Sequence, residues 1–203
     1  MESVTIGNAT LWLGDNREVM PLLTGIDAVI TDPPYGCNKA EWDGNFPVEW
    51  YAPARDKAGM VAIITGSSGL KDSVRLVGED FVDVISARNM NGMTRGPIGF
   101  GNWLAAVLAG KKPAQGPNAF DFCVSGDMPD HPSPKPYEYM HKLVARLTKK
   151  GDTVLDCFMG SGTTGVACMN LDRHFVGIEI ERKFFDIACE RIAAAQQQLK
   201  LAL

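Results

Sequence analysis

One stretch late in the chain, Asp156-Cys157-Phe158-Met159-Gly160-Ser161-Gly162-Thr163-Thr164-Gly165, most restricts the folds open to it. An apolar run from Thr153 to Phe158 reads as a strand, Thr164 to Asn170 as a helix, and His174 to Ile180 as a second strand. Parallel strands need a crossover of a dozen or more residues, usually a helix, so this order is the building unit of a doubly wound sheet. Gly160, Gly162 and Gly165 spell G-x-G-x-x-G, a spacing that lets backbone approach a ligand closely. Glu179 stands at the end of the next strand, about 20 residues on, where an acid can accept from ribose hydroxyls. A nucleoside cofactor is expected at this turn.

These residues leave the kind of cofactor open. A NAD-dependent oxidoreductase would set a pyrophosphate on the helix N-terminus, whereas a methyltransferase would set the amino-acid part of S-adenosylmethionine there. Position in the chain separates the two. A dinucleotide fold usually opens with the glycine turn, but here the turn comes after residue 155 of 203. Earlier strands must complete the sheet: Thr10–Leu13, Asp27–Thr31, Met60–Ile64, Phe81–Ser86 and Phe120–Val124. Met140, Leu143, Val144 and Leu147 recur at helical spacing, with Pro136 suited to that helix's first turn and Gly151 to its end. A last helix starts at Arg182. The fold expected is α/β, Rossmann-like and doubly wound, with a mostly parallel sheet, helices on both faces and ligands at the strands' carboxyl ends.

One of those carboxyl ends carries Asp32-Pro33-Pro34-Tyr35. Two prolines cannot continue a sheet ladder and each fixes its own φ, so the turn is stiff. It presents a carboxylate on one side and an aromatic face on the other, a way to grip a flat group bearing an NH2. The carboxylate and a proline carbonyl accept the two protons while the ring stacks on the plane. One sheet would bring this turn and the glycine turn to the same edge, placing an amine site beside a nucleoside cofactor.

Bulk properties set outer limits. At 203 residues and 45% apolar content the chain can bury one core, and one domain over residues 1–203 is expected. No apolar run approaches the roughly 20 residues of a membrane span, and Met1-Glu2-Ser3-Val4 lacks the features of a signal peptide. Five dispersed cysteines without a C-x-x-C pair fit a reduced cytoplasmic protein, and His131, His141 and His174 lack metal-ligand spacing, so no metal is expected. A net charge of −4 argues against a protein that coats nucleic acid without selectivity, though it leaves room for a local basic face.

The motifs together resemble the DNA amino-methyltransferases, which methylate adenine N6 or cytosine N4, in the permuted order with the catalytic tetrapeptide ahead of the cofactor glycines. Gly14-Asp15 resembles the family's acidic turn, Asp32 to Tyr35 its catalytic motif, and His131-Pro132-Ser133-Pro134-Lys135-Pro136 its His-Pro-x-x-Lys-Pro segment. Leu155 to Ala167 resembles the cofactor loop, and Val176-Gly177-Ile178-Glu179-Ile180 the ribose-binding strand. The resemblance implies S-adenosylmethionine as cofactor and double-stranded DNA as partner, in a prokaryotic cytoplasm or a phage-infected host. It implies catalytic roles for Asp32, Pro33, Pro34 and Tyr35. Cofactor contacts are implied for Asp15, Asp32, His131, Lys135, Asp156, Phe158, Gly160, Ser161, Gly162, Thr163, Thr164 and Glu179. Cytosine-N4 members more often carry Ser at the first catalytic position, so Asp32 favours adenine N6. A non-catalytic DNA-binding relative would have degraded motifs, and these are intact. Within the class, an RNA or protein amine is the remaining alternative.

One departure stands out. Members that read a sequence usually carry a sizeable recognition insert before the His-Pro-x-x-Lys-Pro segment, and here Lys112 to Asp130 is short. The candidate DNA-facing segment is therefore residues 87–130. Its part from Ala87 to Ala119 holds Arg88, Arg95, Lys111 and Lys112 with no acid and reads as the DNA-facing surface. The glycines and sparse apolar residues of Ala87 to Lys112 give that stretch little to pack against. Lys39 and Trp42, in the loop after the catalytic turn, are further candidate contacts. So small a reading surface calls for a short or degenerate target, or for help from a partner or a second copy of the chain in a homodimer.

Overall fold

The computed structural model describes residues 1–34, 47–92, 94–96, 99–124 and 135–201. The strands Glu2–Ile6 (β1) and Ala9–Leu13 (β2) pair antiparallel, and the short helix Asn16–Val19 (α1) follows. Ala28–Thr31 (β3) and Met60–Thr65 (β4) are buried at every position, as strands covered on both faces must be, and Tyr51–Lys57 (α2) lies between them in sequence. Leu70–Val77 (α3) leads to Phe81–Asn89 (β5). The ribbon Thr94–Gly96 (β6) and Gly99–Gly101 (β7) comes next, then Trp103–Gly110 (β8) and Ala119–Phe122 (β9). The chain ends with Tyr137–Leu147 (α4), Thr153–Asp156 (β10), Thr163–Asn170 (α5), His174–Glu179 (β11) and Arg182–Leu201 (α6).

Nine strands form one sheet in the order β1-β2-β11-β10-β3-β4-β8-β5-β9. From β2 to β4 every neighbour is parallel, β8 runs antiparallel to both β4 and β5, and β5 pairs parallel with β9. Alternate side chains of each strand feed two cores. One packs Ala28, Ile30, Ala62, Ile64 and Leu108 against α4, α5 and α6, including Leu143, Phe185 and Ile192. The other packs Val29, Val61, Ile63 and Val107 against Val19, Trp50, Ala54 and Val77. The expected mostly parallel, doubly wound sheet with helices on both faces is what the chain forms. β3 leads one way to β4, and β10 leads the other way to β11. The crevice between β3 and β10 is therefore the point where strand order reverses, which in such sheets is where ligands bind.

The expectation for residues 87–119 needs correcting. Its middle is β8, an interior strand whose Ala105, Ala106, Val107 and Ala109 are fully buried. The scattered glycines and basic residues around it read as surface. Leu104 to Ala109, however, is an unbroken apolar run paired on both sides, with β4 and β5, and so covered on both faces. The strand β1 and the helices α2 and α3 were also unexpected. Among the described residues no helix is long and apolar enough to cross a membrane.

Candidate active site

Four of the parallel strands end at one edge, and each delivers an acid there. Asp15 follows β2, Asp32 follows β3, Asp156 ends β10 and Glu179 ends β11. The register explains why they converge: Glu179 lies beside Leu13, and Leu155 beside Val29.

The glycine turn is built from inside the sheet. Asp156 is buried, and its carboxylate accepts from Thr31 Oγ1 at 2.7 Å, Thr164 Oγ1 at 2.6 Å and the Phe158 amide at 3.1 Å. Burial pushes the Asp156 carboxyl up to about 6, and the three donors and the nearby Asp32 charge modify that rise. Asp156 thus joins the strand that carries Asp32 to the first turn of α5. Gly162 stands at φ +78, and a Cβ there would lie 2.8 Å from that of Ala188 on α6, so only glycine fits the turn. Phe158 leaves the turn edge-on to buried Trp50, with ring centroids 5.6 Å apart.

Glu179 is equally tied. Its Oε2 accepts from the Gly160 amide at 2.8 Å, while Oε1 accepts from the amides of Ile180 at 2.9 Å and Glu181 at 2.8 Å. Burial raises its pKa and these amides pull it back. Asp15 caps α1 by accepting from the Arg17 amide at 2.8 Å and pairs with the Arg17 guanidinium, which holds its carboxyl below the usual range.

At the neighbouring strand end Pro33 is buried, and Asp32 makes an ion pair with Lys135. Both side chains are largely covered, at 22% and 11% exposure. Lys135, expected to serve the cofactor, pairs here with the carboxylate of the Asp-Pro-Pro-Tyr turn. Tyr139 on α4 lies behind them, with its hydroxyl donating to the Ala105 carbonyl at 3.2 Å and its pKa raised by burial and by the Asp32 charge.

The structure divides the expected DNA contacts. Arg88, at the end of β5, lies at the same edge as Asp32, with Trp103 as its register partner. Its guanidinium is engaged by the Asp121 carboxylate in two hydrogen bonds of 3.0 Å. Lys111 and Lys112 follow the far end of β8, where Gly110 pairs with Met60, so they lie at the opposite edge of the sheet and away from the acids. This corrects their placement beside the site: an antiparallel strand carries its two ends to opposite edges. Arg95 belongs to β6, in the separate two-stranded ribbon between β5 and β8, whose joined ends, Arg88 and Trp103, pair at the acid-bearing edge. Tyr35, Lys39, Trp42 and His131 lie outside the described residues.

Two side chains were not anticipated. Thr31 is a fully buried hydroxyl in an otherwise apolar strand, and that polarity one residue before Asp32 was the available signal. Arg191 reaches the turn from α6, donating to Ser161 and Thr163. Among the described residues no group of His, Cys, Asp and Glu could hold a metal ion.

A family profile described as DNA methylase, of the N6/N4 type, matches residues 85–190, more than half of the chain. The chain belongs to this family. Two curated relatives of the chain are Type II methyltransferases. One is M.BglI of Bacillus subtilis, 48% identical over 63 residues, which are 31% of this chain and 18% of that protein. The other is M2.DpnII of Streptococcus pneumoniae, 42% identical over 67 residues, which are 33% of this chain and 25% of that one. The matched stretches thus span a quarter or less of these relatives. Solved structures match over far more of their length. The M1.HpyAVI–SAM complex is 27% identical with a TM-score of 0.74, over 91% of this chain and 98% of that one. The cytosine-N4-specific PvuII DNA methyltransferase is 17% identical with a TM-score of 0.73, over 96% and 93%, a likeness of fold alone.

Proposed function

We propose that this DNA methylase transfers a methyl group from S-adenosylmethionine to the exocyclic amine of a base in double-stranded DNA, adenine N6 in the first instance. The observation that carries this reading is the hydrogen-bonded bridge Thr31–Asp156–Thr164, which fixes the Asp32 turn and the glycine turn against each other at one sheet edge. The donor set fits the cofactor. Glu179 offers a carboxylate for ribose hydroxyls, and the Ser161–Thr163 turn opens a helix whose first-turn amides suit the carboxylate of an amino acid.

The cofactor supplies a sulfonium methyl, an electrophile that leaves a neutral thioether. What the chain must supply is a better nucleophile, because an exocyclic amine's lone pair is delocalised into its ring. Asp32 and the Pro33 carbonyl accept the amine's two N–H bonds, so the nitrogen turns toward sp3 as it forms its bond to carbon. Asp32 stabilises the positive charge that develops on nitrogen, and the proton is lost readily once the amine is methylated. Lys135 holds the Asp32 carboxylate in place for this contact. The base must leave the stack to present its amine, and Tyr35 is assigned to receive it by stacking. Arg88, Trp103 and the β6–β7 ribbon form the proposed DNA-facing side. The cytoplasm of a prokaryotic cell is the setting proposed for this chemistry.

The test is incubation of the chain with double-stranded DNA and methyl-labelled S-adenosylmethionine, followed by digestion to nucleosides. Label in N6-methyldeoxyadenosine is the expected outcome. Label in N4-methyldeoxycytidine would correct the base and keep the chemistry, and label absent from DNA would overturn the reading.

A further inference from the structure

Helix α6 passes directly behind the glycine turn. At Gly162 an added Cβ would meet the Ala188 Cβ at 2.8 Å and its Cα at 3.0 Å. Arg191 lies three residues along, and so emerges beside the same turn. Its Nη1 donates to the Ser161 carbonyl, and lies 3.2 Å from both Ser161 Oγ and Thr163 Oγ1. Arg17, Arg88 and Arg182 each have a carboxylate partner, whereas among the described residues no carboxylate oxygen lies within 4.0 Å of Arg191. Among the described residues the half-buried cation is answered only by neutral oxygens. Desolvation correspondingly pulls the Arg191 pKa down.

A desolvated charge without a counter-charge is costly, and it is stabilised when an anion arrives nearby. We propose that Arg191 is a positioning residue that gives the Ser161–Thr163 turn its preference for a cofactor tail bearing a carboxylate. The proposal rests on the functional reading above, which places the amino-acid end of S-adenosylmethionine at this turn. Arg191 acts in two ways. Its hydrogen bonds fix the Ser161 peptide and the Thr163 hydroxyl, and its charge raises the potential at the mouth of the turn.

Two ligands separate charge from bracing. S-adenosylhomocysteine carries the amino-acid tail, and methylthioadenosine keeps the nucleoside but ends in a thioether. By calorimetry, Arg191→Gln should weaken S-adenosylhomocysteine about tenfold or more, the scale of one partly screened charge pair, with methylthioadenosine affinity unchanged. Retained methylthioadenosine binding also reports a folded site. Arg191→Lys, which keeps the charge, should recover most of the S-adenosylhomocysteine affinity. Equal loss of both ligands, or loss of neither, would overturn the proposal while leaving the cofactor assignment standing. If the unaltered chain binds neither ligand, the functional reading fails and the proposal fails with it.

Discussion

Where β10 gives way to α5, the carboxylates of Asp156 and Glu179 are buried and each accepts three hydrogen bonds from hydroxyls or amides of the chain. Where β3 and β5 end, the charges of Asp32 and Arg88 face side-chain counter-ions, Lys135 and Asp121. The first arrangement fixes geometry, because backbone and buried hydroxyls have nowhere else to go. In the second, the covered Lys135 holds the Asp32 carboxylate. The exposed Arg88–Asp121 pair leaves a charge that an incoming group can take over, since a solvent-exposed ion pair is cheaply exchanged for another. A corner built for a small, constant cofactor and a corner built to receive and release a large polyanion would differ in this way.

The largest expected effect breaks one corner and spares the other. Asp32→Ala removes the acceptor for the amine and the charge facing the reacting nitrogen, and should lower methyl transfer by about 10²–10³-fold or more. S-adenosylhomocysteine affinity should stay close to that of the unaltered chain, because the turn's own network does not pass through the Asp32 side chain. Single-turnover rates beside calorimetry check this, and near-normal turnover would remove Asp32 from the chemistry.

The pH dependence of the buried corner is the next test. Asp156 has a folded pKa of about 6 against an ordinary 3.8, so between those values the folded state holds a proton that the unfolded chain has lost. Its contribution to stability is therefore greatest below about pH 4, and is lost as pH rises through 6. The loss is on the order of 3 kcal/mol, from about two pKa units. Asp156→Asn should flatten the corresponding part of a melting-temperature profile between pH 4 and 7. A profile identical to the unaltered chain would show that Asp156 is not the group burdened by burial. Glu179→Ala, smaller in effect, removes the acceptor of three amides and of the proposed ribose hydroxyls. Cofactor affinity should fall by about 1–3 kcal/mol, and titration with S-adenosylhomocysteine measures it.

The two corners also differed in how well the sequence revealed them. The cofactor corner was legible because its constraints are local: Gly162 answers to one φ and one close helix, and Asp156, Thr164 and Glu179 sit at strand and helix ends that apolar runs delimit. Asp32 was legible for the same reason, since two prolines end a strand unambiguously. What escaped depends on partners remote in sequence. β8 is a run of small apolar residues whose burial is decided by β4 and β5, and its interior position sent Lys111 and Lys112 to the far edge. β1 alternates exposed and half-buried residues, a weak signal for a strand. Nothing near Arg88 announces Asp121, and nothing near Lys135 announces its pairing with Asp32. Ion pairs between distant segments have no period and no spacing, so only the fold reveals them.

The smallest expected effect lies in that exchangeable pair. Arg88 and Asp121 are more than half exposed, at 58% and 52%, so their mutual attraction is screened and weak. If a DNA phosphate competes with Asp121 for Arg88, Asp121→Asn removes the competitor and a repelling charge together. DNA should then bind more tightly, and the dependence of log affinity on log salt should steepen by about one unit. Adding Arg88→Ala to that variant should return the slope to its starting value, because the released charge is gone. Cofactor affinity should not change in either variant, since neither residue touches the glycine turn. Should Asp121→Asn leave both affinity and salt slope as they were, Arg88 serves only to fasten β5 to β9. The DNA-facing surface would then have to be sought elsewhere, first in the segment from Gly36 to Trp50.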